Sequence, residues 1–479
     1  MTDEMLARTL APIYGEHSVR QGGQLARYTE ALAAFSSQFG QGDVRLFRAP
    51  GRVNLIGEHT DYNHGYVMPM ALDKDIVFVA RPRADAVVNL HNVEPERFPA
   101  RTFAISAEIP RSPLGDWANY VKGAAQALRQ ATGRELCGAD ILASGQAPWG
   151  VPTAVGLSSS SALTVVAAFT LAALNGIDLP KLALARLCSE AEWYVGTRGG
   201  IMDQFISILA ERDRALLLDC RPLPGDLPGE VRYDRRQVPL PLGYRALVFN
   251  SAVRREKTKS LFNVRVAECR IGVALLRRRY AGITHLRDVS AEALGLSDAQ
   301  VLALLDDALP EQTTRDELRS AGMLDERLDA MFADYRLSDD QVYRARSRCQ
   351  HVITENARVL ASEQALSAGD VLRFGRLMNE SHFSMSRDYE ASCQEVDILA
   401  DLCRKSDGVL GARVTGAGWG GCVVALVRDG YEAGVVEQVT RQYVEVTGLP
   451  GEGFVCASAP GADELGIADY SPRSTAKWD

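Results

Sequence analysis

Four consecutive serines open an apolar helix near the middle of the chain, and this junction constrains the fold more than any other stretch. The serines are Ser158, Ser159, Ser160 and Ser161, and they follow Gly156 and Leu157. Residues 162–174 are apolar, rich in alanine and free of glycine and proline, which predicts a buried helix. The first N–H groups of a helix lack intrahelical partners and favour an anion. A helix cap is the alternative, but one serine is enough for a cap, so we favour a phosphate-binding loop.

The composition excludes several classes of protein. The 479 residues are 46% hydrophobic and 24% charged, which is globular and too long for one core, so we expect two domains. The net charge of −8 argues against a nucleic-acid or membrane surface. Nine cysteines without a CxxC pair favour reduced thiols in a cytoplasm. The first twenty residues lack the apolar core of a signal peptide, so a cytoplasmic location is expected.

A polar loop is expected after the first strand. Residues 1–42 are predicted to be helical and solvent-facing, and residues 44–49 alternate like a strand. Glu58, His59 and Asp61 then cluster in a glycine-rich segment. Several donors and acceptors in so short a span suit a polyhydroxylated ligand, whose hydroxyls must each be matched. A charged surface loop is the alternative.

Two further glycine-rich segments carry chemistry. Asp203 follows a double glycine and has apolar neighbours, so it is either paired or functional, with a helix N-cap as the alternative. Residues 411–421 predict two strands joined by a glycine turn. Their GxGxxG spacing is not followed by a helix, which excludes a dinucleotide fingerprint. The proline- and glycine-rich residues 221–229 place a domain boundary, giving domains 1–220 and 221–479.

Four segments, in this order, resemble the GHMP kinase superfamily and within it the galactokinases. They are residues 51–62, 156–163, 200–204 and 411–421. The resemblance implies an α/β (α+β) two-domain GHMP kinase fold with the active site in the cleft between the domains. Residues 1–220 would bind sugar and ATP, and residues 221–479 would be the C-terminal GHMP domain. The implied reaction is ATP-dependent phosphorylation of α-D-galactose at its C1 hydroxyl, giving galactose 1-phosphate and ADP.

The resemblance also implies a role for each motif residue. Asp203 would be the base that accepts the C1 proton, with Arg52 beside it. The sugar would be bound by Glu58, His59, Thr60, Asp61, Gly200 and Asp203. ATP would be bound by Gly156, Leu157, Ser158, Ser159, Ser160 and Ser161. Mg²⁺ would be held by Ser160 and Glu192, with Glu190 as a competitor of Glu192. The expected partners are small molecules only, and the chain is expected to be a monomer or a weak homo-oligomer.

Two departures keep alternatives open. Many galactokinases have a sugar-contacting tyrosine where this chain has Phe262, and residues 192–200 are one residue shorter than the usual bacterial spacing. Both features are similar to N-acetylgalactosamine kinases, so that enzyme or another sugar 1-kinase is the first alternative. A non-catalytic galactose-sensing regulator is the second. The intact serine loop and Asp203 argue against a regulator, which needs neither for binding.

Overall fold

The computed structural model describes residues 2–153, 155–196, 199–225, 231–253, 258–335 and 337–469. These form two compact units. The first comprises Met1–Val53, Met70–Arg214 and Cys456–Asp479, and the second comprises Asn54–Pro69 and Ala215–Val455. The units differ from the predicted division into 1–220 and 221–479 because residues 54–69 belong to the second unit and the segment that begins at Cys456 belongs to the first. Part of the predicted boundary segment, residues 226–230, lies outside the described residues.

The described residues contain sixteen α-helices and fifteen strands. The helices are α1 (Asp3–Tyr14), α2 (Glu16–Arg20), α3 (Gln24–Phe39), α4 (Ala118–Thr132), α5 (Ser159–Leu174), α6 (Lys181–Ala191), α7 (Met202–Leu209), α8 (Thr258–Arg279), α9 (Ala291–Leu294), α10 (Asp298–Ala308), α11 (Arg315–Ser320), α12 (Glu326–Asp334), α13 (Ala345–Ser367), α14 (Val371–Arg387), α15 (Gln394–Lys405) and α16 (Glu432–Thr447). The strands are β1 (Asp43–Asn54), β2 (Tyr66–Val67), β3 (Pro69–Pro82), β4 (Val87–Asn92), β5 (Arg101–Ala104), β6 (Ala139–Ser144), β7 (Arg214–Asp219), β8 (Leu223–Pro224), β9 (Val231–Arg232), β10 (Arg235–Pro239), β11 (Tyr244–Asn250), β12 (Val409–Thr415), β13 (Cys422–Arg428), β14 (Glu452–Cys456) and β15 (Asp463–Asp469).

A six-stranded sheet with the order β15-β1-β3-β6-β4-β5 is the frame of the first unit. Its β1 pairs antiparallel with β15, and β4 pairs parallel with β6. Helix α5 confirms the buried helix predicted after the serines, since Ala162, Val165 and Val166 have no exposed surface. An alanine-rich helix without a polar face packs in this way because every side of it can be buried.

Residues 1–42 contain the predicted helices α1–α3, but the expectation that these helices only face solvent is wrong, because α1 and α3 each bury one face. Leu10, Tyr28 and Phe35 are fully buried and pack in one apolar cluster with residues of β1 and β3. The apolar residues of α1 and α3 recur three or four positions apart, which places them on one face of each helix. Polar residues lie between these apolar residues in the sequence, so the average composition of the segment does not reveal the apolar face.

A buried ion cluster joins these helices to the sheet. Asp75 on β3 lies 2.8 Å from the Arg27 guanidinium and 2.7 Å from that of Arg48, and all three side chains have no exposed surface. The hydroxyl of Tyr14 donates to Asp75, and the hydroxyl of Tyr28 lies 2.8 Å from that of Tyr14. Burial opposes the charge on Asp75, but the two guanidiniums outweigh it and hold the pKa of this carboxyl below its usual value.

The second unit contains three sheets and a group of helices, and the smallest sheet is the pair β8-β9. The largest sheet has the order β12-β13-β11-β14, and the three-stranded sheet has the order β10-β7-β2. Strands β12 and β13 are antiparallel, with Thr415 paired to Cys422, which confirms two strands joined by the glycine turn. Residues 281–340 contribute α9–α12, and the buried residues of α10–α12 pack in one core with those of α8 and α13.

None of the helices in the described part of the chain combines the length and the apolarity that crossing a bilayer requires.

Replacing Asp75 by Asn tests the buried ion cluster. The substitution keeps the shape of the side chain but leaves two buried guanidiniums without a counter-charge, which costs about 3–5 kcal/mol of unfolding free energy. Because the folded pKa of Asp75 is lowered, its contribution is present above the unfolded pKa of about 3.9 and is lost as the pH falls. Urea unfolding at pH 7 measures the loss.

The matched control is Asp85→Asn, which breaks an exposed ion pair with Arg83. Exposed pairs contribute little, so this variant is expected to unfold with the midpoint of the unmodified chain. Equal unfolding midpoints for the two variants would contradict a structural role for the buried cluster.

Candidate active site

The first residue before helix α5 has an unusual backbone. Ser158 occupies the N-cap position with φ 60° and ψ 41°, the left-handed region, which costs a residue other than glycine about 1–2 kcal/mol. Its side chain does not cap the helix. The Ser158 hydroxyl instead donates to Asp203 Oδ2 over 2.5 Å. The helix-cap interpretation is therefore wrong for Ser158, whose strained backbone aims its hydroxyl at the predicted catalytic carboxylate.

Arg52 holds the same carboxylate from the other side. Its Nε donates to Asp203 Oδ1 over 2.7 Å, and its Nη2 donates to Oδ2 over 2.9 Å. Its Nη1 donates to the carbonyl of Gly156 over 2.6 Å. A planar guanidinium that makes two parallel bonds to a carboxylate fixes its position and its plane. Asp203 is therefore fixed relative to the serine loop, while its side chain remains 27% exposed.

The position of Asp203 excludes the cap alternative. Helix α7 begins at Met202 and its N-cap is Ile201, so Asp203 lies in the first helical turn. A negative charge there interacts favourably with the helix dipole. Gly200 precedes the helix and is partly exposed.

Gly51 explains how strand β1 reaches the serine loop. A Cβ atom on Gly51 would lie 2.8 Å from the carbonyl oxygen of Leu157 and 2.7 Å from a methyl carbon of Val151. Only glycine lets the two backbones approach so closely. The backbone N–H of Arg52 then donates to the Leu157 carbonyl over 3.2 Å. Gly156 has a φ of 91°, which also favours glycine.

The carboxylate of Glu192 lies against another serine of the loop. The Ser161 hydroxyl donates to Glu192 Oε1 over 2.6 Å, and Gln204 donates to Ser161 Oγ over 3.4 Å. Glu192 is buried. Burial, together with the nearby negative charge of Asp203, raises the pKa of the Glu192 carboxyl to about 7. Glu192 thus has a carboxylate that a bound cation would keep ionised.

The residues here fit Mg²⁺ bound together with a phosphate chain. Mg²⁺ prefers oxygen ligands and is held by one or two carboxylates plus phosphate oxygens and water. The described residues contain no group of three acidic, histidine or cysteine side chains that could hold a metal alone. The serine that contacts Glu192 is Ser161, whereas the family resemblance implied Ser160 as the Mg²⁺ ligand. Glu190, the predicted competitor of Glu192 as a Mg²⁺ ligand, is exposed and lies 3.8 Å from Arg186.

The predicted sugar loop lies in the second unit, where Glu58 is buried. Glu58 Oε1 accepts a hydrogen bond from the backbone N–H of Gly416 over 2.7 Å. The guanidinium of Arg413 lies 3.3 Å from the same oxygen. The glycine turn after β12 therefore positions Glu58, which contiguous sequence could not show.

His59 is enclosed by aromatic rings. Its ring lies within 6.0 Å, centre to centre, of the rings of Tyr62, Phe262, Tyr389 and Trp419. Its Nε2 lies 3.1 Å from the carbonyl oxygen of Ala417, and its Nδ1 lies 2.8 Å from the Tyr62 hydroxyl. Burial and the neighbouring His351 lower the pKa of His59 to about 3, so the ring is neutral. Because a carbonyl only accepts, Nε2 carries the proton and Nδ1 accepts from Tyr62.

The other residues that were predicted to contact a ligand differ in how exposed their side chains are. Thr60 is fully buried, and its hydroxyl lies 3.0 Å from the Gly57 carbonyl and 2.6 Å from the Tyr66 carbonyl. Asp61 begins a short 3₁₀ turn and is partly exposed, as are Ser159 and Ser160 in the first turn of α5. Leu157 is buried.

No role was predicted from sequence for Tyr62 and Tyr389, because the two residues are distant in the chain. In the structure their hydroxyls are 2.6 Å apart.

Comparison with known proteins adds independent information. The galactokinase galactose-binding signature matches residues 33–82. The GHMP kinase N-terminal domain matches residues 119–211, and the GHMP kinase C-terminal domain matches residues 362–445. The galactokinase of Roseiflexus sp. (strain RS-1) is 37% identical over 91% of this chain and 97% of its own length. The galactokinase of Chloroflexus aurantiacus is 37% identical over 90% of this chain and 95% of its own length.

Comparison with solved structures points to the same family. The structure of Lactococcus lactis galactokinase complexed with galactose superposes with a TM-score of 0.73 and 31% identity, and covers 91% of this chain and 99% of that chain. A mevalonate kinase structure superposes with a TM-score of 0.52 at 15% identity, covering 87% of this chain and 99% of that chain, a likeness of fold alone. The fold is therefore the GHMP kinase fold, and the chain belongs to the galactokinase family of that superfamily.

Proposed function

We propose that the chain transfers the γ-phosphoryl group of ATP to the C1 hydroxyl of α-D-galactose, giving galactose 1-phosphate and ADP. One observation carries this proposal. The carboxylate of Asp203 is held by Arg52 and Ser158 beside the N-terminus of α5, where a phosphate chain is favoured. The galactokinase relatives support galactose rather than N-acetylgalactosamine or a sensing role.

Asp203 acts on the sugar. It accepts the proton of the C1 hydroxyl as that oxygen bonds to the γ-phosphorus and the bond to the ADP oxygen breaks. Its two ties to Arg52 keep the carboxylate in a fixed position, and positioning supplies much of the rate in phosphoryl transfer. The positive charge of Arg52 stabilises the negative charge that gathers on the transferred group.

The serine loop binds the phosphates. The free N–H groups at the start of α5 and the hydroxyls of Ser159 and Ser160 donate to phosphate oxygens. Glu192 would hold Mg²⁺ together with the hydroxyl of Ser161 or Ser160, and the 2.6 Å contact between Ser161 and Glu192 favours Ser161. When bound, Mg²⁺ neutralises phosphate charge and orients the chain of phosphates.

The sugar loop matches hydroxyls of the substrate. Glu58 and Asp61 accept hydrogen bonds from the sugar, and Gly200 lets it approach the start of α7. His59 and Thr60 support this loop from within, since His59 is enclosed by aromatic rings and Thr60 bonds to loop carbonyls. Phe262 packs its ring against His59, so an apolar contact stands where many relatives have a tyrosine hydroxyl.

Steady-state kinetics with the two sugars tests the reaction. We expect kcat/KM for galactose to exceed that for N-acetylgalactosamine. A higher value for N-acetylgalactosamine would overturn the substrate, and no turnover of either sugar would overturn the kinase activity.

Removing the carboxylate tests the base. Asp203→Ala is expected to lower kcat by about 10²–10⁴, because a positioned base contributes that much, while the chain still folds. Circular dichroism and single-turnover kinetics measure folding and rate. Glu211→Ala, which removes an exposed carboxylate paired with Arg214, is the control and is expected to keep its rate. Near-normal turnover in Asp203→Ala would remove Asp203 from the mechanism.

Two substitutions at Ser158 distinguish the effect of its strained backbone from the effect of its hydroxyl group. Ser158→Ala and Ser158→Gly both lose the hydroxyl that donates to Asp203, and a hydrogen bond to a charged group is worth about 1.5–3 kcal/mol. Both are expected to lose about tenfold to a hundredfold in kcat. Glycine also relieves the left-handed backbone, so Ser158→Gly is expected to unfold at higher urea than Ser158→Ala. Full activity of the glycine variant would show that the hydroxyl has no role in turnover.

The metal assignment has its own test. Glu192→Gln is expected to raise the Mg²⁺ concentration for half-maximal rate by about tenfold or more, since it removes a charged ligand. Glu190→Gln is the matched control and is expected to leave it unchanged, because Glu190 is exposed. Titration of activity with Mg²⁺ at saturating ATP measures both. The same shift in both variants would refute the choice of Glu192.

A further inference from the structure

One cavity among the described residues is strongly basic. It measures about 310 Å³ and lies entirely within the second unit, among the 3₁₀ turn at Asp61–Asn63, helix α8 and residues 284–331. Its lining includes three arginines, Arg270, Arg277 and Arg327, and one carboxylate, Asp325. None of the three arginines forms an ion pair with any described residue. The lining therefore carries a net charge of about two positive units.

Asp325 does not neutralise these arginines directly. Its Oδ1 accepts the backbone N–H of Leu328, which makes it the N-cap of α12. Arg277 donates to the carbonyls of Ile283 and Thr284, which are uncharged. Guanidiniums that line one cavity without ion-paired carboxylates favour a bound anion, which supplies the missing counter-charge.

Two stacked histidines complete the cavity. The rings of His64 and His285 lie 3.8 Å apart with an angle of 15° between their planes. Burial lowers the pKa of both, helped by each ring's charged neighbours, and that of His64 falls to about 4. At neutral pH the pair is therefore uncharged and offers N–H groups and flat ring surfaces. With the buried Leu328 and Met331, it gives the cavity an apolar side.

We propose that this cavity is a binding site for a phosphate monoester. Arginine forks match phosphate oxygens, and two net positive charges match a monoester, which carries about −1.5 to −2 at pH 7. The cavity is larger than one phosphate group, and the histidine pair and apolar side chains accommodate a small organic group such as a sugar ring.

The cavity also contacts the predicted sugar loop. Tyr62 and Asn63 line it, and the hydroxyl of Tyr62 bonds to His59 Nδ1. Asn63 donates to the backbone carbonyl of His59 over 2.9 Å. A ligand that moves this turn therefore acts on His59 and its neighbours, so occupancy of the cavity changes the KM for galactose. This second step rests on the proposed function, whereas the binding step does not.

Calorimetry on the full chain tests binding. Saturating galactose and a non-hydrolysable ATP analogue fill the proposed active site, and inorganic phosphate or glucose 6-phosphate is then titrated. We expect glucose 6-phosphate to bind more tightly than phosphate, and Arg270→Gln with Arg327→Gln to weaken it by about tenfold or more. The matched control combines Arg279→Gln and Arg441→Gln, which remove two exposed positive charges elsewhere, and is expected to retain binding.

Three results would overturn the site: no binding to the unmodified chain, equal weakening in the control, or equal affinity for both anions, which would indicate an adventitious ion only. The kinetic step is measured separately. Glucose 6-phosphate is expected to shift the galactose KM of the unmodified chain and of the control but not of the Arg270/Arg327 double variant. Intact binding with an unchanged KM would overturn the coupling and leave the proposed function untouched.

Discussion

The two-pronged ion pair between Arg52 and Asp203 is the interaction on which the candidate site depends. It ties the end of β1 to the first turn of α7, and the third nitrogen of Arg52 ties both to the serine loop through Gly156. Two residues near this ion pair have backbone features that make the contact possible. Gly51 removes a side chain that would collide with the loop, and Ser158 accepts a left-handed backbone to aim its hydroxyl at Asp203. Strain of this kind persists where surrounding contacts outweigh it, which is common at active sites.

The chain buries other charges, and comparison with them sets Asp203 apart. Asp75 is enclosed by Arg27 and Arg48 with no exposed surface. Glu355 is fully buried; its burial is outweighed by Arg358 and Arg413, and the pKa of its carboxyl falls to about 2. Glu355 accepts the N–H of Gly57 and so supports the loop that carries Glu58. These pairs hold elements together, since a buried charge needs a partner. Asp203 has equally good partners, but its side chain is 27% exposed, which its proposed proton transfer from a substrate requires.

Residues 281–340 acquire a role through the basic cavity. Their sequence carries no recognisable motif, yet they supply His285, Arg327 and the apolar side chains that face helix α8. The turn at Asp61–Asn63 borders both this cavity and His59, so one short segment carries the sugar motif on one side and the proposed anion site on the other. A ligand that binds there has a direct physical route to the sugar loop through the Tyr62 hydroxyl.

Sequence alone determined the features that are encoded in contiguous residues. The serine loop and its buried helix, the paired strands around the glycine turn and the family itself all follow from local pattern, because periodicity and glycine placement fix backbone conformation directly. Tertiary structure alone decided which side chains meet. The partner of Glu192 is Ser161 rather than the neighbouring Ser160, the N-terminal helices bury one face against the sheet, and His59 is enclosed by rings from distant segments. The physical reason is that neighbouring residues on a helix point in different directions, so packing decides which of two adjacent serines meets a given partner. Contacts between segments hundreds of residues apart also depend on packing in three dimensions, which no local pattern contains.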